Sequence, residues 1–134
     1  MNQDGKTPGI TFPSAAAQAS LAEKVYAQAG LDPMETTYVE THGTGTQAGD
    51  PVEASALYST FGKSRSDPLR IGSVKTNVGH LEGASGVTGL IKTILMLERE
   101  KILPNSDFRS PNKRIPLKDW NLEVFRHDVK QFLC

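Results

Sequence analysis

Two short segments hold the residues best able to do chemistry: Glu40-Thr41-His42-Gly43-Thr44-Gly45-Thr46 and Lys75-Thr76-Asn77-Val78-Gly79-His80. Each follows a β-like run and opens into small residues. Together they supply two imidazoles, one ammonium and several hydroxyls, a set suited to stabilising a charged intermediate in acyl transfer. Neither has a cysteine or a Gly-x-Ser-x-Gly nucleophile nearby. His42, taken singly, reads as a polar loop residue. Its place at the C-terminal end of a strand, where open α/β sheets build their sites, favours a role in a site. The Gly43-Thr44-Gly45-Thr46 run lacks the lysine and spacing of a phosphate loop and the third glycine of a dinucleotide fingerprint. His80 precedes a small-residue helix start, Gly83-Ala84-Ser85-Gly86. A helix N-terminus disfavours a protonated imidazole, so a neutral His80 can donate a hydrogen bond to an oxyanion. Lys75 is either a surface lysine or a site residue; its place at a strand end, five residues before His80, favours the site. A metal centre needs a third ligand. His127 has no spacing relation to the other two and reads as a surface residue, so no metal ligands are assigned.

The elements that must position these segments alternate between helix and strand. Ser14 is a candidate N-cap for a helix over 15–29 that Gly30 closes. Ala17, Leu21, Val25 and Ala29 recur every four residues and predict its buried face. Residues 37–41 predict a strand. Asp50 starts a second helix, with Pro51 at its first position and Glu53 completing a capping box. It runs to Phe61, with Gly62 left-handed. Residues 69–74 predict a strand entering the second motif. Residues 82–101 predict the longest helix, whose broad apolar face is Val87, Leu90, Ile91, Ile94, Leu95 and Leu97. Pro104, Pro111 and Pro116 break regular structure, and residues 121–125 predict a last strand. The pattern is that of an α/β layered domain.

Composition narrows the function classes. The chain has 134 residues, 37% apolar and 22% charged, enough for one domain with a modest core. Fifteen basic and fifteen acidic side chains cancel, so neither nucleic acid nor an anionic membrane is indicated as a partner. The apolar stretch 87–97 is interrupted by Lys92 and is too short to span a bilayer. No signal segment opens the chain. One cysteine, Cys134, excludes an intrachain disulfide framework. The expected location is cytoplasmic.

The two segments resemble the paired histidine motifs of β-ketoacyl synthases, the condensing domains of polyketide and fatty acid synthases. Asn2-Gln3-Asp4-Gly5, Pro8-Gly9-Ile10-Thr11, the run 47–53 and the run 81–92 are similar to that family too, in order and spacing. The stretch 112–125 resembles the large reducing type of fungal polyketide synthase. The resemblance implies a partial thiolase-like fold, the C-terminal half, with layered helices on a mixed sheet. It covers residues 1–128; residues 129–134 form a divergent tail. The implied activity is decarboxylative Claisen condensation of acyl and malonyl thioesters, an acyltransferase reaction. His42 and His80 match the family's oxyanion-stabilising histidines, and Lys75 its electrostatic lysine. Thr44 and Thr46 match hydroxyls of the pantetheine channel; Gly43, Gly45 and Gly79 permit close backbone approach, and Asn77 joins them as substrate-binding. No cofactor is bound directly, since substrates ride on the phosphopantetheine of an acyl carrier protein. The other implied partners are the N-terminal half of the synthase domain and a second copy in a homodimer. The family's nucleophilic cysteine belongs to that first half. Cys134 has no small-residue turn around it and does not match, so the isolated chain is expected to be inactive. The alternative is a non-catalytic remnant or a structural, interaction fragment.

Overall fold

The computed structural model describes residues 5–7, 9, 12–125 and 130–131. His127, Cys134 and the side chains of the expected tail at 129–134 lie outside the described residues, as do Asn2, Gln3, Asp4, Pro8, Ile10 and Thr11. Helix α1 spans Ala15–Ala29, with the Ser14 hydroxyl accepting from the Ala17 amide and Gly30 left-handed at φ 66°. Both ends follow the sequence signals. Its buried side does not. The core takes Ala19, with Ala22 and Tyr26 packed beside it, while Leu21 and Val25 are exposed. The buried face is thus the 19/22/26 stripe; the 17/21/25/29 stripe faces away, because Tyr26 stacks edge-on against Phe61 at 5.3 Å.

A 3₁₀ turn at Pro33–Glu35 leads into strand β1, Tyr38–Glu40. Helix α2 covers Gly49–Leu57 and runs on through a π-helical turn at Tyr58–Gly62. The expected capping box is absent: Ala48 is the cap, with no side-chain hydrogen bond there. Nor is Gly62 left-handed. A Cβ at that position would meet the Tyr58 ring at 2.7 Å and the Trp120 carbonyl oxygen at 2.9 Å, so space demands the glycine. Strand β2, Leu69–Gly72, is followed by a four-residue helix α3, Lys75–Val78, where only a strand end was expected. A 3₁₀ turn at Glu82–Ala84 then opens helix α4, Ser85–Glu98. Short strands β3, Lys101–Ile102, β4, Leu122–Val124, and β5, Lys130–Gln131, complete the order.

Strands β1, β2 and β4 form one parallel sheet in the order β1-β2-β4. Antiparallel pairing is confined to the separate β3-β5 pair. Alternation along the strands divides the core into two layers. Leu69, Ile71 and Leu122 face Ala54 of α2 and Phe61 of the π turn. On the other face Met96 of α4 packs with Ile102 and Phe125, with Tyr38 alongside. Arg70 on that face lies 5.8 Å from the Phe125 ring centre and 3.8 Å from the Glu123 carboxylate.

Helix α4 meets the sheet by a narrow stripe. Gly89 and Met96 are buried, and Lys92 and Thr93 are partly so. The broad apolar face read from the sequence (Val87, Leu90, Ile91, Ile94, Leu95 and Leu97) is 41–60% exposed. Among the described residues no helix is long and apolar enough to cross a membrane.

Candidate active site

Parallel pairing of β1 with β2 brings Glu40 opposite Gly72, so the chain leaves both strands at the same, C-terminal end of the sheet. His42 follows β1 by two residues. His80 follows β2 by way of α3. Their rings meet edge to face, with centroids 5.4 Å apart and planes at 88°.

The His42 loop is fixed by backbone hydrogen bonds. The Thr41 amide and hydroxyl both donate to the Gly72 carbonyl oxygen, at 2.7 and 2.9 Å. The amides of His42 and Gly43 donate to the two oxygens of Glu53, at 2.6 and 2.9 Å. The Gly45 amide donates to Asp50 Oδ1 at 3.1 Å. Both acidic residues of α2's first turns therefore serve the loop rather than their own helix end. Gly43 is left-handed at φ 49°, and a Cβ there would sit 2.7 Å from Ser73 Cβ. Only glycine satisfies both demands.

His80 is oriented from its other side. The Glu82 amide donates to His80 Nδ1 at 2.9 Å, and Ser85 Oγ lies 3.1 Å from the same nitrogen. A nitrogen that accepts a backbone N–H carries no hydrogen, which in this geometry leaves Nε2 as the ring's N–H. Glu82 reaches this geometry at φ 45°, an uncommon conformation for a side chain of its size. Gly79, at φ 74°, makes the preceding turn.

The remaining expected residues take several positions. Lys75 opens α3 and, with His42, Thr41, Ser85 and Gly86, lines a hollow of about 400 Å³. Among the described residues its ammonium makes no ion pair. Thr44 and Thr46 bring their hydroxyl oxygens within 3.5 Å of each other, and Thr46 Oγ1 accepts from the Gly49 amide at 3.0 Å. Gly45 is left-handed at φ 75°. Asn77 is exposed on α3, where its Oδ1 accepts from the Thr76 hydroxyl, and it does not line the hollow. Among the described residues no three His, Cys, Asp or Glu side chains gather to hold a metal ion.

Behind the histidines lies a polar cluster that the sequence reading did not assemble. Glu40 Oε1 accepts from the Val74 amide at 2.5 Å. Glu40 Oε2 accepts from the Tyr38 hydroxyl at 2.5 Å and from Lys92 Nζ at 2.7 Å. Lys92 Nζ also donates to the Tyr38 oxygen at 2.9 Å. Burial, and then the Glu40 carboxylate beside it, push the Tyr38 hydroxyl far above its ordinary value, so it stays protonated. The signal available in the sequence was Lys92 itself, a single cation within the apolar stretch 87–97.

Comparison with known proteins identifies the family. Residues 1–109 match a family described as "Beta-ketoacyl synthase, C-terminal domain". The chain is 66% identical over 125 residues to the highly reducing polyketide synthase phiA of a fungal species. It is 63% identical over 123 residues to the reducing polyketide synthase PKS1 of Cochliobolus heterostrophus. Each match covers 92% of this chain and 5% of the relative, so the chain spans about one twentieth of those proteins. Among solved structures, the ketosynthase from module 6 of the bacillaene synthase of Bacillus subtilis 168 superposes with a TM-score of 0.91 at 40% identity. That match covers 99% of this chain and 24% of the ketosynthase.

Proposed function

The chain belongs to the β-ketoacyl synthase family, and from that premise we propose that His42 and His80 jointly stabilise the anion formed when a malonyl thioester loses carbon dioxide. As the C–C bond breaks, its electron pair passes into the thioester, and negative charge builds on the carbonyl oxygen. Two neutral imidazoles can each direct an N–H at that oxygen. The resulting enolate carbon attacks an acyl thioester, expelling the cysteine thiolate that carried the acyl group. In the family that cysteine belongs to the other half of the domain.

The observation that carries this reading is the perpendicular pairing of the two rings at 5.4 Å. The bonds to His80 Nδ1 add to it, because they leave Nε2 to carry the N–H. Donors fixed before the charge develops need no reorganisation at the moment of reaction, and each is worth roughly 3 kcal/mol. Lys75 adds positive potential from the wall of the hollow that it lines with His42. The hydroxyls of Thr44 and Thr46, beside Gly43 and Gly45, suit the amides of a phosphopantetheine arm presented by an acyl carrier protein. The remaining proposed partners are the N-terminal half of the synthase domain and a second copy, in a cytoplasmic enzyme of the reducing polyketide type.

The test uses an intact condensing enzyme carrying these two segments. Release of carbon dioxide from a malonyl carrier substrate should fall about a hundredfold in the His80→Ala variant. Near-normal release would remove His80 from this role.

A further inference from the structure

We propose that the buried Glu40–Lys92 pair is a positioning device that holds the His42 and His80 segments face to face. The inference rests on the reading above for what the histidines do, but its own test reads geometry alone.

One carboxylate ties together three elements. Glu40 ends β1, two residues before His42. Its Oε1 receives the Val74 amide at the start of α3, the turn that carries Lys75 and leads to His80. Its Oε2 receives Lys92 of α4, the helix that follows His80. Both side chains are nearly out of solvent, Glu40 12% and Lys92 10% exposed. The helix makes room for the arrangement at Gly89, where a Cβ would come within 3.2 Å of Glu40 Cγ. Lys92 also sits over the Tyr38 ring, 5.5 Å from its centre.

The chemistry of the pair makes it sensitive to loss of either member. Removing one partner of a buried ion pair leaves an uncompensated charge, which is costlier than losing the bond. Without Lys92, the Glu40 carboxylate gains by turning toward water, and it must then release Val74. Without a carboxylate at position 40, the donors from Val74, Tyr38 and Lys92 converge on a group that cannot accept all three. Either change breaks the Glu40 link between the α3 turn and the end of β1 and leaves the Thr41 bonds to Gly72 to hold the two segments alone. That separates the rings without touching the α1–α2 layer.

The experiment is magic-angle-spinning NMR of the full chain labelled at histidine and aromatic rings, which reads contacts whether the chain is monomeric or associated. The unmodified chain should show a His42–His80 ring cross peak and a Tyr26–Phe61 ring cross peak. In Lys92→Met and in Glu40→Gln the first should vanish while the second stays, and Lys92→Arg should restore the first. A His42–His80 peak that survives in both variants overturns the proposal. If a variant loses both peaks through unfolding, amide exchange in the unmodified chain decides the matter. Val74 should then exchange at least tenfold more slowly than Thr76; equal rates overturn the proposal.

Discussion

Glu53 accepts the backbone amide of His42 at 2.6 Å from α2, eleven residues further along the chain. The same carboxylate accepts Gly43 at 2.9 Å, so one side chain grips two successive amides of the loop. Charge-assisted bonds of this kind are worth about 1.5–3 kcal/mol each, and an abandoned partner adds its own penalty. Glu53→Gln keeps the shape but offers one acceptor where two are needed. In an intact condensing enzyme it should lower decarboxylation at least tenfold, because His42 loses its fixed place. Near-normal decarboxylation would show that the loop keeps its shape without Glu53.

Gly43 should tolerate no side chain. Gly43→Ala places a Cβ against Ser73 and forces a left-handed alanine. The combined cost should be about 2 kcal/mol or more, read as a fall in the denaturation midpoint. Gly30→Ala, at a left-handed position with φ 66° and ψ 27°, meets nothing within 4 Å and should cost only the conformational share, about 1 kcal/mol. An equal loss in the two variants would contradict the close packing at Ser73.

The Tyr38 hydroxyl gives the protein an alkaline limit. Its folded value is raised, so the folded chain holds a proton that the unfolded chain surrenders from about pH 10 upward. The stabilisation is complete below that pH and fades as pH rises through and beyond it. Tyr38→Phe should flatten the stability profile above pH 10, measured by urea titration across pH 8 to 11.

The 134-residue chain by itself should not condense acyl and malonyl thioesters, because condensation needs a nucleophile to hold the acyl group. Product formation from both carrier substrates is the assay. Condensation that disappears in Cys134→Ser would make Cys134 the acyl carrier after all.

The isolated chain should also self-associate. Val87, Leu90, Ile91, Ile94, Leu95 and Leu97 leave α4 with an apolar surface open to water. Patches of this kind drive association once they exceed roughly 400 Å². Light scattering and binding of a hydrophobic dye measure it. Ile91→Lys with Leu95→Glu should reduce both signals, since both residues lie on the open face.

What the sequence made legible was local. Ser14 and Gly30 bracketed α1 because caps act within a few residues. The two histidine motifs were visible because glycine, threonine and histidine cluster there for reasons of backbone shape. Less legible was everything decided by tertiary contact. The stripe of α1 that faces the core depends on where Phe61 lies. Glu53 carries the spacing of a capping box, yet its carboxylate finds better donors in another segment. The broad apolar face of α4 was visible in its spacing, but not that the helix would rest on the sheet through Gly89, Lys92 and Met96. No periodicity argument expects a lysine to face inward; only Glu40 and Tyr38, far earlier in the chain, explain it.

The parallel sheet also implies an order of assembly. Tyr38 must find Arg70, whereas Leu69 must find Leu122, a more distant partner along the chain. Closing the shorter loop costs less entropy, and non-local pairings of this type set the pace of folding. The β1–β2 contact is therefore expected to form first, and β4 to join it afterwards. Both histidines hang from the early pair, so their meeting need not wait for the last strand. Pulse-labelled exchange during refolding would show protection at Thr41 preceding protection at Leu69, whose amide is held by Asn121 beside β4.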